Sequence, residues 1–267
     1  MDPASFFEQS SPLWAAFVAS LIGGAGATAL GAVPVLWMRK SSARTNNAML
    51  SFAAGVMLAA TIFSLLVPGL ELAEERYGNR FVAVLAIVSA LLAGGLLMGF
   101  INRVLPHEHF QKGPEGPGSE RIARVWLFVL AITLHNFPEG LSIGVGSASG
   151  NAQIGLGVTI GIGLQNLPEG LAVAMAMVTL GYSRPRAFAV GALTGVVELV
   201  GGMFGAVLLI LSTAILPFAL AFAAGTMLFV ISDEVIPETH REDFGESATV
   251  ALFLGFALMF VLDVSLR

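Results

Sequence analysis

No cysteine occurs in these 267 residues. Disulfides, thiolate zinc cages and thiol redox switches are therefore excluded, and any metal must be held by His, Met, amide or carboxylate. Charge is almost as scarce: Asp, Glu, Lys and Arg make up 12% of the chain, against about 25% in soluble domains. So few charges cannot dress the surface of a water-soluble globule of this size, and 56% apolar residues with a mean hydropathy of +0.83 point to a membrane protein. Long basic runs are missing, which excludes a nucleic-acid partner. No Lys or Arg lies between Met1 and Ser11, so the first apolar stretch reads as a span and not as the core of a secretory signal.

What the chain does have is long apolar runs. Eight are long enough for about 30 Å of hydrocarbon, at approximately Pro12 to Met38, Ala48 to Leu70, Arg80 to Ile101, Arg124 to Ser149, Ala152 to Leu180, Ala187 to Leu211, Ala214 to Ile236 and Ser247 to Val264. The expectation is one all-α, polytopic domain over 1–267, with short connections except for residues 102–123. That stretch is rich in Gly, Pro and charge and reads as a mobile cytoplasmic loop. Loops after spans one, three, five and seven carry Arg39, Lys40, Arg44, Arg103, Lys112, Arg121, Arg124, Arg184, Arg186 and Arg241, while the opposite side carries Arg76, Arg80 and Arg267. Excess Lys/Arg marks the cytoplasmic side, so both termini are expected outside.

Two repeats stand out. HNFPEGLSIGVG (His135 to Gly146) on span four matches QNLPEGLAVAMA (Gln165 to Ala176) on span five, and FAAGVML (Phe52 to Leu58) on span two matches FAAGTML (Phe222 to Leu228) on span seven. By the loop charges, spans two and seven run in opposite directions. Inverted repeats of this kind mark secondary transporters, whose substrate site lies near the midplane.

Charges within spans are costly and therefore informative. Glu139, Glu169 and Glu198 fall deep in their spans with His135 beside them, and no Lys or Arg does. At ~1.5 Å per residue, His135, Gln165, Glu198 and Met57 each lie roughly 14 to 20 Å from a span end, near mid-membrane. His135 with Glu139, and Gln165 with Glu169, stand at i and i+4 and share a helical face. Pro138 and Pro168 free the carbonyls of Leu134 and Leu164 and bend the helices there, and Gly140 and Gly170 allow close helix approach. An acidic centre without countercharge asks for a cation. One imidazole, one thioether, one amide oxygen and two or three carboxylates suit borderline divalent metals: zinc, iron, manganese, cobalt or cadmium. Glu139 and Glu169 are placed to bridge two ions, with Asn136, Asn166 and Glu198 on the second.

H-N-F-P-E-G followed by Q-N-L-P-E-G, in an eight-span chain with both termini outside, resembles the ZIP family of divalent metal transporters, in its bacterial GufA-like branch. F-A-A-G-V-M-L on span two and S-D-E-V-I-P-E-T-H-R at the end of span seven extend the resemblance over essentially the whole chain. It implies a 3+2+3 helix bundle, uptake of zinc and similar ions towards the cytoplasm, and an elevator-like movement of one helix group against the other. It further implies one metal position formed by Met57, His135, Glu139, Gln165 and Glu169, and a second by Asn136, Glu139, Asn166, Glu169 and Glu198. Some relatives have Asp where this chain has Asn166, and many outside the branch have His where it has Gln165. A neutral Asn weakens the second position.

Asp233, Glu234, Glu238 and His240 cluster at the inner end of span seven and read as an exit relay for metal, with Asp233, Glu234 and His240 as candidate ligands. His107, Glu108 and His109 in the long loop are weaker candidates. Met175, Met177, Met203 and Met227 read as packing residues, and Glu71, Glu74 and Glu75 as a solvated outer helix end, the alternative being that they attract cations to the entrance. No cofactor is expected, because the metal is the transported substrate. The expected partners are divalent metal ions and the lipid bilayer of a bacterial inner membrane; a homodimer is left open. Two competing functions are a metal exporter of another fold, which lacks the Pro-containing pair, and an intramembrane metallohydrolase, which the absence of H-E-x-x-H opposes.

Overall fold

The computed structural model describes residues 3–38, 42–104, 107–109, 113–115, 124–179, 181–240 and 245–266. The cations Arg39, Lys40, Lys112, Arg121 and Arg241, and most of the loop expected at 102–123, lie outside the described residues. A short helix, Pro3–Gln9, seats buried Phe7 against Gly155. Eight long helices follow: α1 (Pro12–Leu36), α2 (residues 43–77), α3 (Arg80–Val104), α4 (Arg124–Ala148), α5 (Ala152–Thr179), α6 (Arg184–Leu211), α7 (residues 213–239) and α8 (Gly245–Leu266). Six of them, α1, α2, α3, α6, α7 and α8, are long and apolar enough to cross a membrane. The other two span 25 and 28 residues and carry the polar H-N-F-P-E-G and Q-N-L-P-E-G segments in their middles.

The described part of the 102–123 stretch is not all loop. Helix α3 runs on to Val104, and a small antiparallel hairpin pairs β1 (His107–His109) with β2 (Gly113–Glu115), setting His107 opposite Glu115.

Local chemistry makes the turns. Gly78 (φ 60°) ends α2 and Gly150 (φ 73°) follows α4 in the left-handed region, where glycine meets no Cβ penalty. In each case the next residue is Asn, whose side chain caps the following helix: Asn79 accepts from the N–H groups of Phe81 and Val82, and Asn151 from those of Gln153 and Ile154. A Gly-Asn pair thus folds each of these hairpins.

Pro138 and Pro168 lie inside helices that continue unbroken on both sides. Each proline forfeits one backbone bond while the neighbouring turns keep theirs. The departures from α geometry fall elsewhere, as π-helical turns at Ser20–Gly26 in α1, Ala60–Leu66 in α2 and Ile231–Val235 in α7. Those in α2 and α7 lie just beyond the two F-A-A-G-x-M-L copies, after Ala59 in one and after Phe229 and Val230 in the other.

Packing sorts the helices into two groups. Helix α2 lies along α8, and α7 along α3. Phe52 and Gly55 of α2 meet Gly255 and Leu252 of α8, and Phe222 and Gly225 of α7 meet Gly94 and Leu91 of α3, each glycine against the other helix's carbonyl oxygen. In the second group α4 lies along α6 and α1 along α5. Helices α3 and α8 are outermost, with only 22% of each apolar window buried, and they turn Leu92, Leu96, Phe100, Phe253, Leu254 and Val261 outward.

Candidate metal centre

The residues expected at the midplane are positioned by close backbone contact. A Cβ on Gly140 of α4 would overlap the Glu198 carbonyl oxygen of α6, and one on Gly201 would come within 2.5 Å of the Phe137 carbonyl. The same clasp recurs between α5 and α1, where Gly170 abuts the Thr28 carbonyl and Gly31 the Leu167 carbonyl. Gly140 and Gly170 are the same position of the N-x-P-E-G repeat, so Thr28 of α1 stands where Glu198 stands in α6. T-x-x-G (Thr28 to Gly31) and E-x-x-G (Glu198 to Gly201) are the matching halves.

These two counterparts are hydrogen-bonded to each other. The Thr28 hydroxyl donates to Glu198 Oε1 at 2.7 Å, and Asn136 Nδ2 approaches the same oxygen at 3.5 Å. Asn166 Nδ2 donates to Glu198 Oε2 at 2.6 Å and to the Gly23 carbonyl at 3.0 Å. Fully buried, Glu198 is thus supplied by neutral donors from three other helices.

Glu139 is the opposite case. It is 2% exposed, and neither of its carboxylate oxygens has a hydrogen-bond partner. Gln165 and the carboxylates of Glu169 and Glu198 are its polar neighbours. Gln165 Nε2 donates to Asn166 Oδ1 at 2.8 Å, which leaves Gln165 Oε1 without a donor, and Asn136 Oδ1 is likewise unsupplied. Met57 is buried and Glu169 is 8% exposed. The result is a pocket of acceptors. An isolated buried carboxylate is strongly disfavoured unless a cation or a set of donors compensates it, and oxygen and thioether atoms suit a divalent ion.

The sequence-derived residues are not all brought together. Met57, Asn136, Glu139, Gln165, Asn166, Glu169 and Glu198 are all buried in the helices expected. His135 falls on α4, one turn before Glu139, but its side chain lies outside the described part. Among the described residues no three His, Asp or Glu side chains gather tightly enough to hold an ion. At the end of α7, Asp233 accepts from Asn102 of α3 at 2.8 Å. His240 Nδ1 sits 3.1 Å from the Thr239 hydroxyl and 3.2 Å from the Ile236 carbonyl, and the Thr239 carbonyl accepts from Asn47 of α2 at 2.7 Å. The side chains of Glu234 and Glu238, and those of His107, Glu108 and His109, lie outside the described part.

Other residues escaped sequence reasoning. Thr28 shows only in the T-x-x-G/E-x-x-G correspondence of spans one and six. Glu71 and Glu75 are exposed at a helix end as expected, and with Ser64, Asn151, Gln153 and Asp263 they also line a cleft of about 350 Å³ there. Asp263 is 5% exposed and accepts from the Ser64 hydroxyl at 2.9 Å. Thr61, Ser64, Glu71 and Glu75 set polar side chains along α2 between Met57 and this cleft. Met227, the repeat counterpart of Met57, is packed as expected, but hydroxyls of Thr61 and Ser142 also lie 3.8 and 3.9 Å from its sulfur.

Known proteins resemble this chain in sequence. Residues 104–263 match the family model described as ZIP zinc transporter. The chain is 46% identical over 252 residues to the zinc transporter GufA of Myxococcus xanthus, covering 94% of this chain and 99% of that protein. It is 47% identical over 250 residues to the zinc transporter ZIPB of Bordetella bronchiseptica, covering 92% and 81%. With the human zinc transporter ZIP11 it shares 33% over 322 aligned positions, covering 90% and 94%. Buried acceptor geometry on a repeated N-x-P-E-G pair, the family match and near full-length similarity agree: the chain belongs to the ZIP family of metal transporters.

Proposed function

We propose that the chain imports divalent transition-metal ions, zinc foremost and iron, manganese, cobalt and cadmium besides, through a midplane site of Met57, His135, Glu139, Gln165 and Glu169, with Asn136, Asn166 and Glu198 beside it. The supporting observation is the Glu139 carboxylate, enclosed without a donor next to the equally unsupplied oxygens of Gln165 and Asn136, while no Lys or Arg is buried among the described residues. Membership of the family makes the protein a transporter and not an enzyme, and the metal its cargo and not its cofactor.

Eight crossings of a bacterial inner membrane in a 3+2+3 arrangement, with both termini outside, are the topology we assign. The pairings α2 with α8 and α7 with α3 are what inverted repeats require, since a two-fold that exchanges α2 with α7 also exchanges α8 with α3. The ion collects in the cleft lined by Glu71, Glu75 and Asp263, follows the polar side chains of α2 to Glu139, and leaves past Asp233, Glu234 and His240 at the inner end of α7.

Movement of one helix group against the other is supported by the way glycines are used. Inside each group glycines lie against backbone: Gly55, Gly94, Gly225 and Gly255 in one, Gly31, Gly140, Gly170 and Gly201 in the other. Across the boundary, Gly157 and Gly161 of α5 meet side chains, those of Ser64, Asp263, Ala60 and Met259. Backbone clasps weld each body, whereas side-chain contacts leave a seam that can slide.

Zinc uptake into proteoliposomes tests the proposal. Inward flux is expected with zinc outside, and Glu139→Ala is expected to abolish it in a protein that remains folded. A wild-type rate in that variant would remove the midplane site from the transport path.

A further inference from the structure

We infer that Asn166 is a positioning residue: it joins Glu198 to Gln165, fixes which atom of Gln165 is offered to the ion, and leaves this centre with a single metal position. The inference rests on the midplane reading above and goes beyond it, because it withdraws Glu198 and Asn166 from the set of ligands.

Donors and acceptors alternate along one chain of side chains. An ionised Glu198 can only accept. With one oxygen held by the Thr28 hydroxyl at 2.7 Å, the other requires a donor, and Asn166 Nδ2 supplies it at 2.6 Å. The second hydrogen of that NH₂ group goes to the Gly23 carbonyl at 3.0 Å. Turning the Asn166 amide over would set its oxygen against two acceptors, so its orientation is dictated by Glu198 and Gly23. Asn166 Oδ1 must then face the other way, where it accepts from Gln165 Nε2 at 2.8 Å. Turning over Gln165 would in turn set oxygen against oxygen. The orientation is therefore passed on, and the atom of Gln165 left open is Oε1, buried and without a donor. An amide oxygen is a metal ligand; an amide NH₂ is not.

The same chain closes the second position. An ion beside Glu198 would have to displace the Thr28 and Asn166 donors, and it would meet the NH₂ of Asn166 where a carboxylate would be needed. Among the described residues, which leave out the His135 side chain, no three acidic or His groups converge on an ion-sized space. Neither Glu139 oxygen completes a hydrogen bond, with the Gln165 amide as its neighbouring donor, whereas both Glu198 oxygens are bonded, so the two carboxylates have different jobs. Groups that orient a ligand from behind typically change metal affinity about 10- to 100-fold when removed.

The test uses the full chain in nanodiscs and in proteoliposomes. Zinc bound per chain is counted by calorimetry, and only ions lost in Glu139→Ala are scored as midplane ions. Wild type is expected to hold one. Asn166→Asp, which puts a carboxylate beside Glu198 and removes a donor from it, is expected to gain a second ion that Glu198→Gln removes again. Asn166→Leu leaves Gln165 unoriented and is expected to raise KM for zinc about 10- to 100-fold with kcat retained. The double variant Asn166→Leu/Gln165→Glu is expected to restore KM, because a carboxylate presents oxygen whichever way it turns. That rescue would not follow from a general packing defect. Two midplane ions in wild type, with one lost in Glu198→Gln, overturn the inference, and the count stands even if Asn166→Leu does not fold. An unchanged KM in a folded Asn166→Leu also overturns it. Zinc binding that Glu139→Ala leaves untouched refutes the midplane site itself and is thereby told apart from failure of the relay.

Discussion

Two buried glutamates of this chain show how partners decide the role of one residue type. Glu198 is bonded by donors from its neighbours, whereas neither oxygen of Glu139 has a hydrogen-bond partner. In metal-free protein the buried Glu139 carboxyl must either carry the desolvation cost of an unmet charge, of order a few kcal/mol, or take up a proton. Glu139→Gln removes that charge, so the metal-free variant is expected to melt no lower than wild type. Adding zinc reverses the order, because a ligand at 100 times its Kd stabilises by about 2.7 kcal/mol and the variant has lost the binding site. Thermal melting with and without zinc checks this; an equal zinc-induced shift in both proteins would place the ion elsewhere. Met57→Leu separates chemistry from shape at the same centre. The swap costs less than about 1.5 kcal/mol in packing but deletes the soft sulfur, so cadmium uptake is expected to fall more than zinc uptake when both are measured in one assay.

At the scale of the element, the F-A-A-G repeat acquires a meaning that neither copy shows alone. Each copy is half of a clasp, and the other half is Leu91 to Gly94 of α3 or Leu252 to Gly255 of α8. Two neighbouring glycines of α3 give the test. A Cβ on Gly94 would overlap the Phe222 carbonyl, whereas one on Gly95 would lie 3.5 Å from the Gly225 carbonyl, an ordinary contact. Gly94→Ala is therefore expected to lower the melting temperature and the folded yield, at a cost of about 1–3 kcal/mol. Gly95→Ala is expected to be neutral or to stabilise by up to about 1 kcal/mol through helix propensity. Apolar runs made the helices themselves legible, since each had to bury or bathe in lipid about 20 residues. The polar residues Asn136, Glu139, Gln165, Asn166, Glu169 and Glu198 were legible because polarity inside such a run has no cheap explanation. Thr28 and Asp263 were not. A lone Thr is tolerated in any membrane helix by bonding its own backbone, as Thr28 also does to the Gly24 carbonyl, and an Asp near a span end passes for an interfacial charge. Only the fold, which brings Glu198 to the one and Ser64 to the other, distinguishes them. Which amide atom of Gln165 is free depends on a chain of partners spread over three helices, and no local pattern encodes it.

For the molecule as a whole, the two welded groups and the seam between them turn the absence of cysteine into an experimental advantage. A pair of introduced cysteines is the only pair that can oxidise, so a crosslink reports on one contact at a time. A Cβ built on Gly157 of α5 lies 3.4 Å from that of Ser64 in α2, close to the Cβ separation of about 3.5–4.5 Å in disulfides, and the two residues belong to different groups. Gly191 of α6 and Ala32 of α1 have a matching separation of 3.2 Å but belong to the same group. If transport needs one group to slide on the other, oxidised Ser64→Cys/Gly157→Cys stops zinc uptake and a reductant restores it, whereas oxidised Ala32→Cys/Gly191→Cys continues to transport. Full uptake through a completely crosslinked Ser64→Cys/Gly157→Cys protein would mean that the seam does not move, and that the ion reaches Glu139 by side-chain rearrangement inside a fixed bundle.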